Sequence, residues 1–259
     1  MEYRAALITG ASSGIGEAIA RTLPRSTALW LTGRNADRLD RLAAALRAEG
    51  RQVETIAADL ATAEGLGRVL DEARAAPLDL LVNNAGFGRF GGALEGPAGV
   101  DEAMIRVNAS LPVTLTRALA PAMIARARDE RRRAGLLYVV SSLAFFPMPY
   151  MATYAASKSF LLAYAEALAT ELRREPVDVL ALCPGATRTR FFERAKLSLP
   201  AYATTDDPER VARQALTALG RKTVHVVGLQ GRLAALAPRL LPRRLMVRAL
   251  ARMAERWRP

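Results

Sequence analysis

Tyr154 and Lys158 are the side chains whose types and spacing most directly suggest proton chemistry. They lie four residues apart in residues 154–173, a segment with helical apolar spacing, so both are expected on one helix face. A free phenol has a pKa of roughly 10, too high for efficient acid–base work near neutrality. A nearby ammonium favours the phenolate, and lowering the pKa to about 7 requires about 4 kcal/mol. The pair is therefore predicted to exchange a proton with a substrate, with the pKa of Tyr154 lowered.

A glycine-rich turn follows the first apolar run and reads TGASSGIG at residues 9–16. Glycines in such a turn permit a tight bend, close approach of the backbone to a pyrophosphate, and close packing of the next helix. The N-terminus of that helix would present free N–H groups to the phosphates. The turn is therefore predicted to bind a dinucleotide through Gly10, Ser12, Ser13, Gly14, Ile15 and Gly16.

The same stretch has a second interpretation, because Gly-x-Ser-x-Gly is also the nucleophile elbow of α/β-hydrolases. Ser12 would be the nucleophile, and Asp206 or Asp207 and then His225 follow in the required chain order. The elbow would then follow the first strand, where that fold does not usually place it. His225 lies in an apolar run typical of a structural histidine, so dinucleotide binding is favoured.

The end of the second apolar run indicates which dinucleotide would bind. An NAD-binding enzyme usually has a carboxylate there, which accepts from the ribose 2′-hydroxyl and repels a 2′-phosphate. Here the chain has Gly33, without a side chain, followed by Arg34, whose planar guanidinium suits a phosphate. NADP(H) is therefore favoured over NAD(H), although Arg34 could also be a solvated surface arginine.

Short β-rich runs alternate with longer helical patterns along the chain, and they are the elements that must position these residues. The predicted strands are residues 4–9, 28–32, 53–58, 78–83, 136–141, 178–183 and 223–227. This alternation predicts a single doubly wound, Rossmann-type α/β domain with a parallel sheet of about seven strands and helices on both faces. We place the domain at residues 1–228 and a basic amphipathic helical tail at residues 229–259.

Composition narrows the function further. Cys183 is the only cysteine and His225 the only histidine, so an internal disulfide and a His-rich metal site are both excluded. The net charge of +12 resides mostly in residues 209–259, with 12 Lys/Arg and 2 Asp/Glu, so the body is nearly neutral and no nucleic-acid partner is expected. With no signal segment and no long apolar run, a cytoplasmic location is expected.

Five motifs together resemble the short-chain dehydrogenase/reductase family over residues 4 to about 228. They are TGASSGIG at residues 9–16, NNAG at 83–86, Asn108, YAASK at 154–158 and Pro184 with Gly185. The resemblance implies an NADPH-dependent oxidoreductase that transfers hydride between nicotinamide and a carbonyl or alcohol, with Tyr154 as general acid/base and Lys158 also holding the nicotinamide ribose. It further implies that the cofactor is lined by Asp59, Leu60, Asn84, Ala85, Gly86, Val107, Pro184, Gly185 and Thr187.

The resemblance also implies a serine that donates a second hydrogen bond to the substrate oxygen. The usual spacing to Tyr154 points to Ser141, whereas aligning the strand points to Ser142, and adjacent strand residues face opposite sides. Ser142 is favoured as the catalytic serine. Asn108 would anchor a water in a proton relay, the alternative being a polar helix residue that faces solvent.

Apolar residues around the motifs favour an apolar carbonyl or alcohol substrate, with core or subunit packing as the alternative. They are Phe87, Phe90, Phe145, Phe146, Met148, Phe191 and Phe192. The tail has arginines at 244, 248, 252 and 256 opposite an apolar stripe of Met246, Ala249, Leu250, Met253 and Trp257. This pattern predicts either peripheral membrane contact or docking of the stripe on the protein itself or on a second subunit. A homo-oligomer is expected, and the functional alternative to a reductase is an NADP(H)-binding sensor or scaffold without turnover.

Overall fold

A parallel sheet of seven strands forms the centre of the fold, as predicted. The computed structural model describes residues 2–197, 204–240 and 242–256, without the side chains of 237 and 239. The strands run in the spatial order β3-β2-β1-β4-β5-β6-β7. Their bounds are β1 Ala5–Thr9, β2 Ala28–Gly33, β3 Val53–Ala57, β4 Leu80–Asn83, β5 Ala134–Val139, β6 Val177–Cys183 and β7 Val224–Val226.

Helices connect successive strands and cover both faces of the sheet. Their bounds are α1 Gly14–Thr22, α2 Ala36–Ala48, α3 Ala63–Ala75, α4 Val100–Ile105, α5 Leu111–Asp129, α6 Ala152–Glu171, α7 Phe191–Arg194, α8 Pro208–Ala218, α9 Gly228–Leu240 and α10 Arg243–Glu255. A π-helical segment, Arg106–Ser110, joins α4 to α5, and a 3₁₀ helix, Ser142–Phe145, follows β5.

Two apolar layers hold the helices on the sheet. One contains buried residues of α3, α5 and α6, such as Val69, Leu115 and Leu161. The other contains buried residues of α1, α2 and α8, such as Ile19 and Leu39. Because these two layers cover both faces of the sheet, every residue of the inner strands β1 and β6 is buried.

The strand order reverses between β1 and β4, which both pair in parallel and end at the same edge of the sheet. Ligands of open α/β sheets bind in the crevice at such a switch point, outside the carboxyl ends of the strands. The glycine-rich turn follows β1 and the NNAG motif follows the end of β4, so the topology brings both predicted cofactor motifs to this crevice.

The basic tail forms two helices, α9 and α10. The apolar stripe predicted on the second of them packs largely inward: Met246 is buried, and Leu250 and Met253 contact the cluster around the site. Ala249 is exposed, and Trp257 lies outside the described residues. Docking on the protein itself is therefore the outcome for most of this stripe. Among the described residues, no helix is both long and apolar enough to cross a bilayer.

Candidate active site

The glycine-rich turn leaves no room for side chains at the predicted positions. Gly10 and Gly14 have φ of 67° and 65°, in the left-handed region that glycine alone adopts without strain. A Cβ at Gly16 would lie 2.6 Å from the carbonyl oxygen of Gly10 and 2.5 Å from Asn84 Nδ2. Gly16 therefore allows α1 to pack against the turn. The first turn of α1 has no side-chain cap from Ser13, so its N–H groups stay available to an anion.

Thr9, the last residue of β1, and Asn84, the residue after β4, hold this turn in place through hydrogen bonds. Thr9 Oγ1 accepts from the backbone N–H groups of Asn84 (2.9 Å) and Ala85 (3.0 Å) and donates to the carbonyl of Val82 (3.1 Å). Asn84 Nδ2 donates to the carbonyl oxygens of Thr9 (2.8 Å) and Gly10 (3.1 Å). Thr9 was not among the predicted site residues. Its position directly before the first glycine of the turn is the signal that could have identified it.

A cavity of about 490 Å³ opens at this edge of the sheet. Most of the predicted cofactor residues line it: Gly10, Ser12, Ser13, Gly14, Ile15, Arg34, Asp59, Leu60, Asn84, Ala85, Gly86, Val107, Tyr154, Lys158, Pro184, Gly185 and Thr187. Gly16 and Asn108 are predicted site residues that do not line it. The cavity thus joins the glycine-rich turn to the Tyr–Lys pair.

Tyr154 and Lys158 both lie buried on α6, at the inner end of the cavity. Lys158 Nζ donates to the carbonyl of Val139 (2.9 Å) and lies 5.9 Å from the centroid of the Tyr154 ring. Burial raises the pKa of Tyr154 to about 12 and lowers the pKa of Lys158 to about 8. In the chain itself, burial therefore raises the pKa of the phenol, opposite to the lowering expected beside an ammonium.

The serine that reaches Tyr154 is Ser141, not the favoured Ser142. A hydrogen bond with the Ser141 side chain opposes the rise in the pKa of Tyr154, and Ser141 Oγ accepts from the N–H of Leu143 (3.2 Å). The predicted strand 136–141 ends at Val139, so Ser141 caps the 3₁₀ helix that Ser142 begins. Strand alternation does not apply beyond the last residue of the strand, so it cannot choose between Ser141 and Ser142.

Asn108 is fully buried in the π-helical segment, so it does not face solvent. Its Nδ2 donates to the carbonyl of Phe87 (2.9 Å) and to Ser157 Oγ (3.1 Å), and its Oδ1 accepts from the N–H of Phe87 (3.1 Å). Ser157 Oγ in turn donates to the carbonyl of Tyr154 (2.7 Å). Asn108 therefore ties the segment after β4 to the first turns of α6. π-Helical turns are frequent at functional sites.

Arginines surround the end of the cavity next to β2. Arg34 lines it and is exposed, and a Cβ at Gly33 would lie 3.1 Å from Ser12 Oγ. Arg190 and Arg194, near α7, line the same cavity. The pKa of Arg194 is lowered by burial and by the neighbouring charges of Arg190, Arg34 and Arg38. This concentration of positive charge suits an anion, and sequence reasoning identified Arg34 alone.

The other end of the cavity is apolar. Phe191 lies with its ring centroid 5.1 Å from that of Tyr154, and Gly88 makes this possible, since a Cβ there would lie 2.6 Å from Phe191 Cζ. Five of the seven predicted apolar residues line the cavity: Phe87, Phe146, Met148, Phe191 and Phe192. Phe90 and Phe145 belong to the surrounding apolar cluster. Leu250 and Met253 of α10 complete the lining, so the tail belongs to the site.

The hydrolase interpretation is not supported by the fold. Ser12 follows β1 and His225 lies in β7, four strand spacings away, or about 19 Å at roughly 4.8 Å per spacing. His225 Nε2 is instead hydrogen-bonded to Gln214 Oε1 (2.9 Å), and burial lowers its pKa. Among the described residues there is also no group of three or more His, Cys, Asp or Glu side chains that could hold a metal ion.

Comparison with known proteins agrees with this geometry. Residues 4–198 match the family model described as short chain dehydrogenase. Dehydrogenase/reductase SDR family member 7B of Bos taurus is 34% identical over 239 residues, covering 85% of this chain and 72% of that protein.

Two solved structures extend the similarity to the whole fold. A short-chain dehydrogenase from Sphingobium yanoikuyae in complex with NADPH has a TM-score of 0.78 and 32% identity, covering 95% of each chain. The bulky-bulky ketone specific alcohol dehydrogenase from Comamonas testosteroni has a TM-score of 0.74 and 30% identity, covering 93% of this chain and all of that one. With its family model, its relatives and its sheet order in agreement, the chain belongs to the short-chain dehydrogenase family of oxidoreductases.

Proposed function

We propose that this protein is an NADPH-dependent reductase of apolar carbonyl compounds. The observation that carries the proposal is the single cavity that joins an arginine-rich end, a glycine-rich turn and a buried, protonated tyrosine. The reverse reaction, oxidation of the corresponding alcohol, would use the same groups.

The residues fit a nicotinamide dinucleotide. A Cβ at Gly10 would collide with Ala85 and Asn84, and a Cβ at Gly16 would collide with Asn84 and the carbonyl of Gly10. These glycines therefore let the turn pack closely against the NNAG segment, which leaves backbone N–H groups of the turn for the phosphates of a dinucleotide. The free N–H groups of α1 and the side chain of Arg34 supply donors for phosphates. A bound nicotinamide supplies the hydride that reduces the carbonyl carbon.

The proton comes from the chain itself. The raised pKa keeps the proton on the phenol oxygen of Tyr154 at neutral pH. A substrate carbonyl oxygen that lies against Tyr154 would accept this proton as hydride reaches the carbonyl carbon. Ser141 would donate a second hydrogen bond and, in our proposal, replaces Ser142 as the catalytic serine. Lys158 keeps donors beyond the one used by Val139, since an ammonium has three.

Asn108 has a positioning role in this proposal. Its amide holds Phe87 and, through Ser157, the turn of α6 that carries Tyr154. The water-anchoring role that the family resemblance implies for Asn108 stays part of the proposal.

The proposed partners follow from the surfaces around the site. The apolar lining by Phe146, Phe191 and Met253 favours an apolar carbonyl or alcohol. Ile105 and Phe160 are half exposed on α4 and α6, which supports a homo-oligomer. The tail supports contact with a membrane surface.

A screen that follows NADPH absorbance tests this function, with bulky aryl ketones and long-chain alkanones as substrates. We expect oxidation of NADPH with at least one of these classes. Tight NADPH binding without turnover across the whole screen would favour the sensor or scaffold instead.

A further inference from the structure

Helix α9 exposes a continuous row of leucines to solvent. Leu229, Leu233, Leu236 and Leu240, here called the leucine face, retain 72%, 59%, 46% and 79% of their accessible surface. Their spacing of four, three and four residues places all four within about 60° of the helix circumference, at roughly 100° per residue. This face differs from the stripe of α10, which packs inward.

The opposite side of α9 attaches the helix to the protein with small residues. Gly231 is buried, and a Cβ there would lie 3.1 Å from Val226 Cγ1. Ala234 packs against the apolar cluster that includes Tyr154. The leucine face thus does not pack against the described part of the chain. A contiguous apolar face exposed to solvent marks an interaction site.

The tail that carries the leucine face is strongly basic. In sequence, residues 228–256 contain seven arginines and a single acidic residue, Glu255. Six of these arginines, at 232, 243, 244, 248, 252 and 256, are exposed, and none of the six takes part in an ion pair within the described part of the chain. Leu245, on α10, adds a further exposed apolar side chain, at 59%.

We propose that the leucine face of α9 docks on an anionic lipid bilayer, with the tail arginines at the headgroups. Apolar side chains next to arginines are the composition of helices that lie in the membrane interface. A second copy of the chain fits this surface less well, because a two-fold contact through α9 would bring two arginine-rich tails together. The inference deepens the membrane contact proposed above and does not depend on reductase activity.

Co-sedimentation of the full chain with vesicles tests the docking surface. We use vesicles of phosphatidylcholine alone and of phosphatidylcholine mixed with phosphatidylglycerol, each at low and high salt. The protein should sediment with the anionic vesicles at low salt, and high salt should weaken binding because it screens the arginines. The double variant Leu233→Glu/Leu236→Glu should bind at least about tenfold more weakly, since it replaces apolar groups that would enter the bilayer by carboxylates that the anionic headgroups repel.

Matched variants separate the leucine face from general surface effects. Leu94→Glu alters a fully exposed leucine outside the tail and should bind as the parent does. Arg244→Gln/Arg248→Gln should weaken binding, whereas Arg68→Gln/Arg117→Gln, with the same loss of charge elsewhere, should weaken it less. Unchanged melting temperature would show that each variant is folded.

Three results would overturn the proposal. The first is no binding of the parent protein to anionic vesicles at low salt. The second is equal binding by Leu233→Glu/Leu236→Glu and Leu94→Glu. The third is dissociation of an oligomer by the double variant in the absence of lipid, measured by light scattering, which would assign the leucine face to a second copy of the chain.

Discussion

At the scale of single residues, burial acts on Tyr154 and Lys158 in opposite directions. It keeps the proton on the phenol, with a pKa of about 12, and weakens the hold of the amine on its proton, with a pKa of about 8. A phenol that keeps its proton is consistent with the proton-donor role that we propose for Tyr154 in reduction. Lys158 is the member of the pair whose charge changes close to neutral pH.

The pH dependence of activity should report Lys158. Its charged form, present below its pKa, offers three donors, so we expect kcat/KM for NADPH to be constant at lower pH and to fall as pH rises through about 8. This ratio reflects ionisations of the free enzyme. The variant Lys158→Arg, which does not titrate in this range, should lose the break whatever its absolute activity. A break that appears only near pH 10, or one retained in Lys158→Arg, would contradict the assignment.

Ser141 and Ser142 offer a comparison between neighbouring residues. We expect Ser141→Ala to lower kcat by roughly 10²-fold, the cost of removing one donor to a developing oxyanion. Ser142→Ala should lower it by less than about threefold, because the Tyr154 hydroxyl interacts with Ser141. Steady-state kinetics of both variants with one ketone measure the difference. The opposite ranking would restore Ser142 as the catalytic serine.

Arg34 should decide the choice of cofactor. We expect NADP(H) to bind at least about tenfold more tightly than NAD(H), a difference of about 1.4 kcal/mol. Arg34→Asp should reverse this order by repelling the 2′-phosphate and accepting from a ribose hydroxyl. Arg117→Asp, an exposed change of the same charge on α5, is the matched control for titration calorimetry. Equal affinities of the parent protein for NADP(H) and NAD(H) would contradict a role of Arg34 in the choice of cofactor.

At the scale of elements, the sequence predicted the seven strands and their parallel direction well, because short β-rich runs alternate with helical patterns. β5 differs from the prediction: it begins and ends two residues earlier, so both Ser141 and Ser142 lie beyond the end of the strand. The end of a buried strand is hard to predict from an apolar run when the residues after it are buried too. This is the case for Val140 and Ser141, which follow β5.

The π-helical segment and the tail could not be predicted for a different reason. The role of Asn108 depends on contacts with Phe87 and Ser157, which are distant in sequence. The stripe on α10 was visible in the sequence, but its docking place beside Tyr154 depends on tertiary packing. The exposed row of leucines on α9 likewise becomes meaningful only once the buried side of that helix is known.

Helix α10 should influence which substrates are accepted. Leu250 and Met253 line the apolar end of the cavity, so Leu250→Ala and Met253→Ala should raise KM for bulky ketones several-fold more than for small ones. Leu245→Ala makes the same kind of change on the exposed side of the helix and should leave both values unchanged. NADPH affinity, measured in parallel, should not change in any of the three. Parallel KM changes for bulky and small ketones would argue against this role.

At the scale of the whole molecule, one cavity lies where the sheet reverses its order between β1 and β4. The body of the chain supplies the glycine-rich turn and Tyr154 to this cavity, and the tail supplies part of its apolar end. The charge is distributed in the same way, with a nearly neutral body and a basic tail. In our proposals, the tail contacts a substrate through α10 and an anionic surface through α9.

The most direct test of the central claim compares Tyr154→Phe with the parent protein in single-turnover reduction of a ketone by NADPH. The account predicts a loss of at least about 10³-fold in rate, since the proton donor is removed, with NADPH affinity largely unchanged because the ring stays in place. Tyr164→Phe, on the same helix, should keep its activity. Near-normal turnover by Tyr154→Phe would contradict the assignment of Tyr154 as the proton donor.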